Sequence, residues 1–503
     1  MKKFLKITLW SLTFLITLIV LFYAEENWRG AREYNETVAR LKAEKYPLSI
    51  AELMPPPIPD EDNIAAAPIF AEIFLSGGNE NPNARLKKIP VIYPAANSKY
   101  FKSAYSNQAK GELGDLRAFI KDASTTLTTK EAAQQLLSQM DQTWSPLMEE
   151  ASEALKLPNC RWPLAYEKGL GMTFPFMNSS LNLSKMFALR AAIYLELGQS
   201  EKAADDIISG YRLAWATEQS PALISVLVSI TEQRLIINPF WAGCAKNQWQ
   251  EKDLSRLQNI FVKMENISAF KQSLQAELTF FYVMTPQLNK EFRDLRILNN
   301  YMSILGISRS QALFLSLRPT GWDQLDFLRY ATFITDYNNT IDEQNLVIAC
   351  GKIDALDREK NNFDHNQINK ILYPFTLLAL PAISKASSGT ALTEVFNHQA
   401  ILACGLERYK IHNKKLPLTL NELMPEYLNK IPNQGVISAP MIYKRVNDQD
   451  YILYSIGWNM RDDGGVISGG KRQTANGYST IRSDELDWVW ASKPELYRVV
   501  QPQ

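Results

Sequence analysis

The sequence is poor in the residues that most often perform chemistry. Its 503 residues include three histidines and four cysteines. The cysteines are far apart and form no C-x-x-C pair, so the spacing of a zinc site is absent: Cys160, Cys244, Cys350 and Cys404. None precedes Cys160, which excludes a lipoprotein. We expect four buried thiols, because free cysteine packs as a small hydrophobic residue, and three disulfide pairings remain the alternative.

Catalytic motifs are also missing from the sequence. It contains no G-x-S-x-G elbow, H-E-x-x-H, P-loop or G-x-G-x-x-G. His398 is expected on a helix flank, and His412 at a helix C-terminus, where a cation is favoured. Glu149, Glu150 and Glu153 are expected on a solvated helix face. If His398 were buried beside a carboxylate and an exposed nucleophile, we would favour an enzyme over a structural or interaction protein.

Charge of one sign does not dominate. Lys and Arg total 54 against 53 for Asp and Glu, which leaves a net charge of +1. That balance gives no electrostatic basis for binding nucleic acid. A hydrophobic content of 46% with 21% charged residues is typical of a globular protein. The length allows two or three domains with a large core.

One long apolar run begins near the N-terminus. Residues 4–23, at about 1.5 Å rise per residue, make roughly 30 Å of helix, enough to cross a hydrocarbon core. Lysines precede the run and glutamates follow it: Lys2, Lys3, Lys6, Glu25 and Glu26. The positively charged side stays in the cytoplasm. The sequence therefore predicts a single-pass inner-membrane protein with a cytoplasmic N-terminus and an extracytoplasmic body.

A cleaved secretory signal is the alternative interpretation of the same run. Cleavage after Ala24 would place Phe22 at the −3 position, where a small residue is needed, and no A-x-A-like triplet lies nearby. We therefore favour an uncleaved signal-anchor over residues 1–24.

Residues 25–60 predict a connection between the membrane and the body. The first part is charged, free of proline and rich in helix formers, so it predicts a juxtamembrane helix with Trp28 and Tyr34 near the interface. Ser49 and Glu52 have the spacing of a capping box, as do Thr419 and Glu422 in a similar later segment. Prolines at 55–57 and 59 predict a semi-rigid polyproline strut.

Residues 61–389 predict a helical body. A hairpin over 181–215, broken at Gly198, resembles a tetratricopeptide-type unit, but the pattern does not recur 34 residues later. Residues 129–155 predict a helix interrupted at Pro146. Further helices are predicted at 222–236, 252–264, 269–283, 325–337 and 342–356, and a short apolar core helix at 371–383. An edge strand is predicted at 89–94.

Residues 390–503 predict a small α+β module. Apolar residues recur at helical spacing over 390–413. Two segments rich in Tyr, Ile and Val, 441–446 and 451–456, predict a pair of strands joined by a hairpin loop at 447–450. Glycine and aspartate then become frequent.

The motifs of this module resemble the globular part of type II secretion major pseudopilins. They are E-R-Y-K-I-H-N, K-L-P-L-T-L-N-E-L-M, Y-I-L-Y-S-I-G-W-N, D-D-G-G and D-E-L-D-W. In that family a calcium ion ties the final loop together through Asp side chains and backbone oxygens. The resemblance implies a calcium site at Asp463, Asp484 and Asp487, with Ser455 near the strand end. Ordinary turn formation by D-D-G-G is the alternative.

The chain departs from that family in two places. Residues 433–440 lack the D-P-W-G-x-P turn, and a G-F-x-x-x-E leader is absent. The resemblance therefore implies the fold of the module without assembly as a pilin. The whole architecture, including L-M-P-P-P-I-P-D-E-D-N, also resembles uncharacterised membrane-anchored proteins of planctomycete and verrucomicrobial bacteria. This second resemblance points to no particular activity.

The sequence as a whole favours a mainly α protein with a structural or protein-interaction role at the cell envelope, in the periplasm and around a secretion or pilus-like apparatus. Its expected partners are the membrane and envelope proteins, with no nucleic acid and no cofactor besides Ca²⁺. We expect no enzyme. An envelope hydrolase with its site in the helical body is one alternative, and a ligand-binding module on the concave face of the helices is another.

Overall fold

The computed structural model describes residues 2–75, 78–89, 115–120, 127–294, 308–468 and 486–500. The predicted edge strand over 89–94 lies almost wholly outside them. The described chain is mainly α-helical, as predicted. Its α-helices are α1 Lys2–Ala43, α2 Ile50–Leu53, α3 Pro68–Ala71, α4 Thr129–Thr143, α5 Ser145–Ala154, α6 Met177–Glu196, α7 Ser200–Glu218, α8 Leu223–Ala245, α9 Glu251–Phe261, α10 Asn266–Phe292, α11 Arg309–Ser316, α12 Thr320–Asn338, α13 Cys350–His365, α14 Gln367–Leu372 and α15 Pro374–Asn413.

The strands form small sheets of two or three strands each. They are β1 Phe74–Leu75, β2 Asn79–Glu80, β3 Ile341–Asp342, β4 Val347–Ile348, β5 Ile442–Arg445, β6 Tyr451–Ser455, β7 Val466–Ser468, β8 Trp488–Ala491 and β9 Arg498–Val500. The pairs β1–β2 and β3–β4 are antiparallel, β5–β6–β8 form an antiparallel sheet in that order, and β7 pairs with β9 in parallel.

Helix α1 runs without a break through the predicted anchor and the predicted juxtamembrane helix. Its second half is part of the body, where Val38 and Leu41 are buried. Tyr34, expected near the membrane interface, instead stacks on Tyr282 inside the body. The polyproline segment follows this buried part, and the Pro55 carbonyl accepts a hydrogen bond from Arg161 Nε at 2.9 Å. The segment therefore runs along the body and is not a strut that separates it from α1.

The long helices α1, α12 and α15 run in the same direction, and α12 and α15 begin at the same end of the body. Helix α12 follows α1 from the Trp322–Glu26 hydrogen bond to the level of Tyr34, whose ring contacts Phe327. Helix α15 begins beside α12, where Asp326 Oδ1 accepts a hydrogen bond from the Thr376 backbone N–H at 3.1 Å. These helices carry the chain from the exposed part of α1 toward the C-terminal module.

The predicted hairpin is confirmed as α6 and α7, and Gly198 turns between them with φ +74°. A bidentate ion pair joins the two helices in the core, with Arg190 Nη2 2.6 Å and Nε 2.9 Å from the Asp206 carboxylate. Helix α8 continues nine residues past its predicted end at 236, through Pro239 to Ala245. It continues because tertiary packing, not propensity, sets its length: Phe240 is fully buried.

The predicted helix over 342–356 is wrong at its start. The strands β3 and β4 form a hairpin there, and the helix begins only at Cys350. Asp342 Oδ1 accepts a hydrogen bond from the Asn345 backbone N–H at 3.1 Å, and Leu346 adopts a left-handed φ of 51°. This local turn chemistry outweighs the helical spacing of the apolar residues.

Helix α15 is continuous over 40 residues, so it crosses the predicted boundary between 389 and 390 without a break. The two predicted strands of the module are confirmed as β5 and β6, and the Thr419–Glu422 capping box is present. The module packs firmly on the body. Trp241 Nε1 donates to the Ala491 carbonyl at 3.1 Å, and Gln258 Nε2 donates to the Tyr427 carbonyl at 2.8 Å.

Candidate functional site

The structure brings two of the four predicted calcium residues into contact. Asp487 is buried just before β8, and its Oδ1 accepts a hydrogen bond from the Asp463 backbone N–H at 3.2 Å. Its Oδ2 accepts one from the Gly465 N–H at 2.6 Å. Ser455 lies at the end of β6 but donates to the Gln434 carbonyl at 2.8 Å. Asp484 lies outside the described residues.

The Asp487 carboxylate serves the described loop as a hydrogen-bond acceptor. Burial raises its pKa, while the two backbone N–H groups favour the charged form. Asp463 is held in turn by Asn459 Nδ2 at 2.8 Å. Among the described residues no group of three or more His, Cys, Asp or Glu side chains is placed to hold a metal ion. With Asp484 outside this set, the calcium site stays a prediction.

His398 is buried on α15 beside a carboxylate. Its Nε2 lies 3.1 Å from Glu394 Oε1, and its Nδ1 lies 2.9 Å from the Asn433 carbonyl oxygen. Because a carbonyl oxygen only accepts, Nδ1 carries a proton and the ring is fixed by both neighbours. Burial beside a carboxylate meets half of the condition for an enzyme site. The other half is not met by these contacts, since neither ring nitrogen is left to activate a nucleophile.

The other residues singled out from the sequence have ordinary partners. His365 is exposed, and its Nδ1 lies 2.6 Å from the Asn361 carbonyl. His412 Nδ1 lies 3.0 Å from the Tyr427 hydroxyl near the end of α15. Glu150 forms a bidentate pair with Arg85 at 2.7 and 2.9 Å, which holds the pKa of Glu150 below its usual range.

The expectation of four buried thiols is confirmed. All four cysteines are free and buried. Burial raises the pKa of each thiol, as the desolvated thiolate is disfavoured. These cysteines therefore pack as apolar groups and are unreactive as nucleophiles.

A buried network of carboxyl and hydroxyl groups, missed at the sequence level, crosses the core. Glu232 on α8 accepts a hydrogen bond from Ser180 Oγ at 2.6 Å, and Glu218 on α7 accepts one from Ser229 Oγ at 3.0 Å. Burial raises the pKa of Glu218 and of Glu232 to about 8. Both carboxyl groups are therefore protonated at neutral pH and act as neutral hydrogen-bonding groups.

A cavity of about 280 Å³ lies where α8, α9 and α15 meet the β5–β6 loop. Its polar lining includes the ion pair of Lys410 Nζ with Glu407, 2.5 Å long, and Asn247, whose Oδ1 accepts from Lys410 at 2.9 Å. The volume is just below the range usual for small-molecule sites. Lys410 is therefore engaged by both partners.

Helix α1 packs on α12 through a close backbone contact and several side-chain hydrogen bonds. Gly30 and Gly321 bring the two backbones so close that a Cβ on either would overlap the other helix. Asn27 Oδ1 accepts hydrogen bonds from Gly321 N at 2.8 Å and Thr320 Oγ1 at 2.9 Å, and Trp322 Nε1 donates to Glu26 at 2.7 Å. This arrangement attaches α1 to the body directly after its exposed apolar half.

Within the described chain two helices are long and apolar enough to cross a membrane. One is α1, whose most apolar window has a mean hydropathy of 2.2 and no buried residues, and the other is α8, whose window is 61% buried. The burial identifies α8 as a core helix. Comparisons with protein-family models, with curated proteins and with solved structures found no match to this chain.

Proposed function

We propose that the chain is a single-pass membrane protein whose body lies outside the cytoplasm and acts through protein contacts at the cell envelope. One observation carries the proposal: α1 is a single helix, apolar and exposed in its first half and built into the body in its second half. A helix of this kind fixes the body at the membrane surface.

The exposed half has the dimensions and composition of a membrane span. Between Lys6 and Glu25 the helix rises about 28 Å, close to the thickness of a hydrocarbon core. Large apolar side chains cover it on every side, from Phe4 (77% exposed) to Phe22 (47% exposed). No described residue covers this apolar surface, and a lipid bilayer would cover it. The lysines before it support a cytoplasmic N-terminus in the inner membrane.

The direction of α15 supports an interaction role. At about 1.5 Å rise per residue its 40 residues make roughly 60 Å of helix, which carries the C-terminal module away from the exposed half of α1. A long helix followed by the antiparallel β5–β6–β8 sheet is also compatible with the pseudopilin-like interpretation. A contact with secretion-associated proteins at this distal end is part of the proposal.

Reporter fusions test the orientation. Alkaline phosphatase fused after Gln503 should be active in intact cells, because this enzyme folds only outside the cytoplasm. Green fluorescent protein fused at the same site should not fluoresce. Replacing Lys2, Lys3 and Lys6 by glutamate removes the positive charge before the span and should lower the phosphatase activity. An inactive phosphatase fusion together with a fluorescent green fluorescent protein fusion would refute an extracytoplasmic body. A mature chain that is free in solution with a new amino terminus would refute the anchor.

A photo-crosslinking residue at Leu418 tests the interaction role. This side chain is 72% exposed in the distal module, so an envelope partner bound there should be captured in intact cells as a discrete adduct. A crosslinker at Ile224, 43% exposed on α8 in the helical body, is the matched control and should give no such adduct. Equal adducts at both positions, or none at Leu418, would contradict a partner at the distal end.

A further inference from the structure

A cluster of exposed apolar side chains lies outside α1, at the end of the body where α12 begins. Leu313 and Phe314 on α11 are 50% and 51% exposed, and Leu317, directly after α11, is 60% exposed. Ile368 on the neighbouring helix α14 is 65% exposed. We refer to these four side chains as the α11–α14 patch. Clustered apolar groups at one end of a molecule mark a contact surface more often than scattered ones do.

The patch lies at the level where α1 changes from exposed to packed. The Tyr23 hydroxyl on α1 donates a hydrogen bond to the Leu317 carbonyl. A chain of aromatic rings connects the two surfaces, since Trp322 lies 6.0 Å from Phe22 on α1 and 6.2 Å from Phe314 in the patch. The apolar surface of the α1 span therefore continues directly onto α11.

Helix α14 is held at the same level. The guanidinium of Arg318, which follows Leu317, donates through Nη1 to the Ile371 carbonyl at 3.1 Å. Arg318 is itself buried and paired with Asp323, so this link is part of the packed body. The side chain of Ile368, one turn before Ile371, thus extends the patch next to α11.

We propose that the α11–α14 patch rests in the interfacial region of the lipid bilayer beside the α1 span, as a second membrane contact. This inference rests on the proposed anchoring of α1. Short amphipathic helices bind bilayers by placing their apolar face at the boundary between headgroups and acyl chains. Tyr23, Trp28 and Trp322 supply the aromatic groups that favour this boundary.

The charge next to the patch agrees with a lipid surface. Arg309 is exposed one turn before Leu313, on the same face of α11. An arginine can extend its guanidinium toward phosphate groups while its methylenes stay at the apolar boundary. A second membrane contact would restrict the orientation of the body. A single span can tilt and rotate in the bilayer, whereas a span with a second contact beside it holds the body in one orientation.

Depth-dependent fluorescence quenching tests the second contact on the full chain in phosphatidylcholine nanodiscs. The native cysteines are buried, so a polarity-sensitive fluorophore attaches selectively to an introduced thiol. We would label Leu313→Cys and, independently, Leu317→Cys, and add lipids with brominated acyl chains as the quencher. Leu18→Cys in the span is the positive control. Val262→Cys, 61% exposed after α9, is the matched apolar control in the body.

The labels at Leu313 and Leu317 should show blue-shifted emission and a loss of intensity approaching that at Leu18, and Val262 should show neither. If Leu18 is quenched while Leu313 and Leu317 behave like Val262, the second contact is refuted and the anchor stands. If Leu18 is not quenched, the anchor and the second contact are both refuted.

Discussion

Replacing Gly30 by leucine should detach the body from the second half of α1. Any side chain at this position enters the Gly321 backbone, which cannot rotate away as the end of a flexible side chain can. Overpacking a tight contact typically costs about 1–3 kcal/mol, and a leucine against backbone belongs at the upper end. We expect faster amide hydrogen exchange over α12, above all at Gly321, whose N–H is held by Asn27.

The matched control is Gly351→Leu on α13. A Cβ at Gly351 has no atom within 4 Å, and the residue is exposed, so leucine should be neutral or stabilising by up to about 1 kcal/mol through helix propensity. Hydrogen exchange of both variants would be followed by mass spectrometry in the same nanodiscs. Unchanged exchange over α12 in Gly30→Leu would show that the glycine contact does not fix the body to α1.

Raising the pH from about 5 to about 8 should lower the stability of the body through Glu218 and Glu232. The folded-state pKa of each is about 8, against an ordinary value of 4.5. Between these values the unfolded chain has lost the proton and the folded chain keeps it. The folded state therefore binds more protons, and the free energy of unfolding falls as pH rises, by at most about 1.4 kcal/mol per pH unit for each group.

The variants Glu218→Gln and Glu232→Gln should flatten this pH dependence. Glutamine keeps the shape and the hydrogen-bonding capacity of the neutral acid but does not ionise. Urea unfolding at several pH values gives the slope, and the difference from the unsubstituted chain isolates each group. Glu153→Gln, at an exposed site on α5 paired with Lys156, is the control and should leave the slope unchanged. Parallel slopes in all four proteins would show that the two buried carboxyl groups are ionised when folded.

Local patterns predicted the elements that depend on neighbouring residues. The length of the apolar run predicted the first half of α1, and Gly198 predicted the turn of the α6–α7 hairpin. The abundance of Tyr, Ile and Val predicted β5 and β6. The β3–β4 hairpin was missed because two-residue strands have too little periodicity to detect. The continuity of α15 was missed because residues 384–389, S-K-A-S-S-G, lack the apolar periodicity of the helices predicted on either side of them.

The contact of α1 with α12 and the buried carboxyl network could not be predicted, because they join residues far apart in the chain. Gly30 and Gly321 are ordinary glycines until the fold brings them together. The buried carboxyl groups carried one usable signal: Glu232 interrupts an otherwise apolar stretch, L-I-S-V-L-V-S-I-T-E-Q, and a charged residue at such a position is a candidate for burial. The resemblance also singled out Asp487, as a calcium ligand; in the structure its carboxylate accepts hydrogen bonds from the Asp463 and Gly465 N–H groups.

The seat of α1 on α12 also sets an order of events during synthesis. The hydrogen bond from Gly321 to Asn27 spans 294 residues, so it forms only after most of the chain has been translated. Until then the second half of α1 exposes Val38 and Leu41, which are buried in the finished protein. The first helix to be synthesised is therefore among the last to gain its neighbours, and nascent chains stalled before α12 should be the ones that quality-control proteases remove.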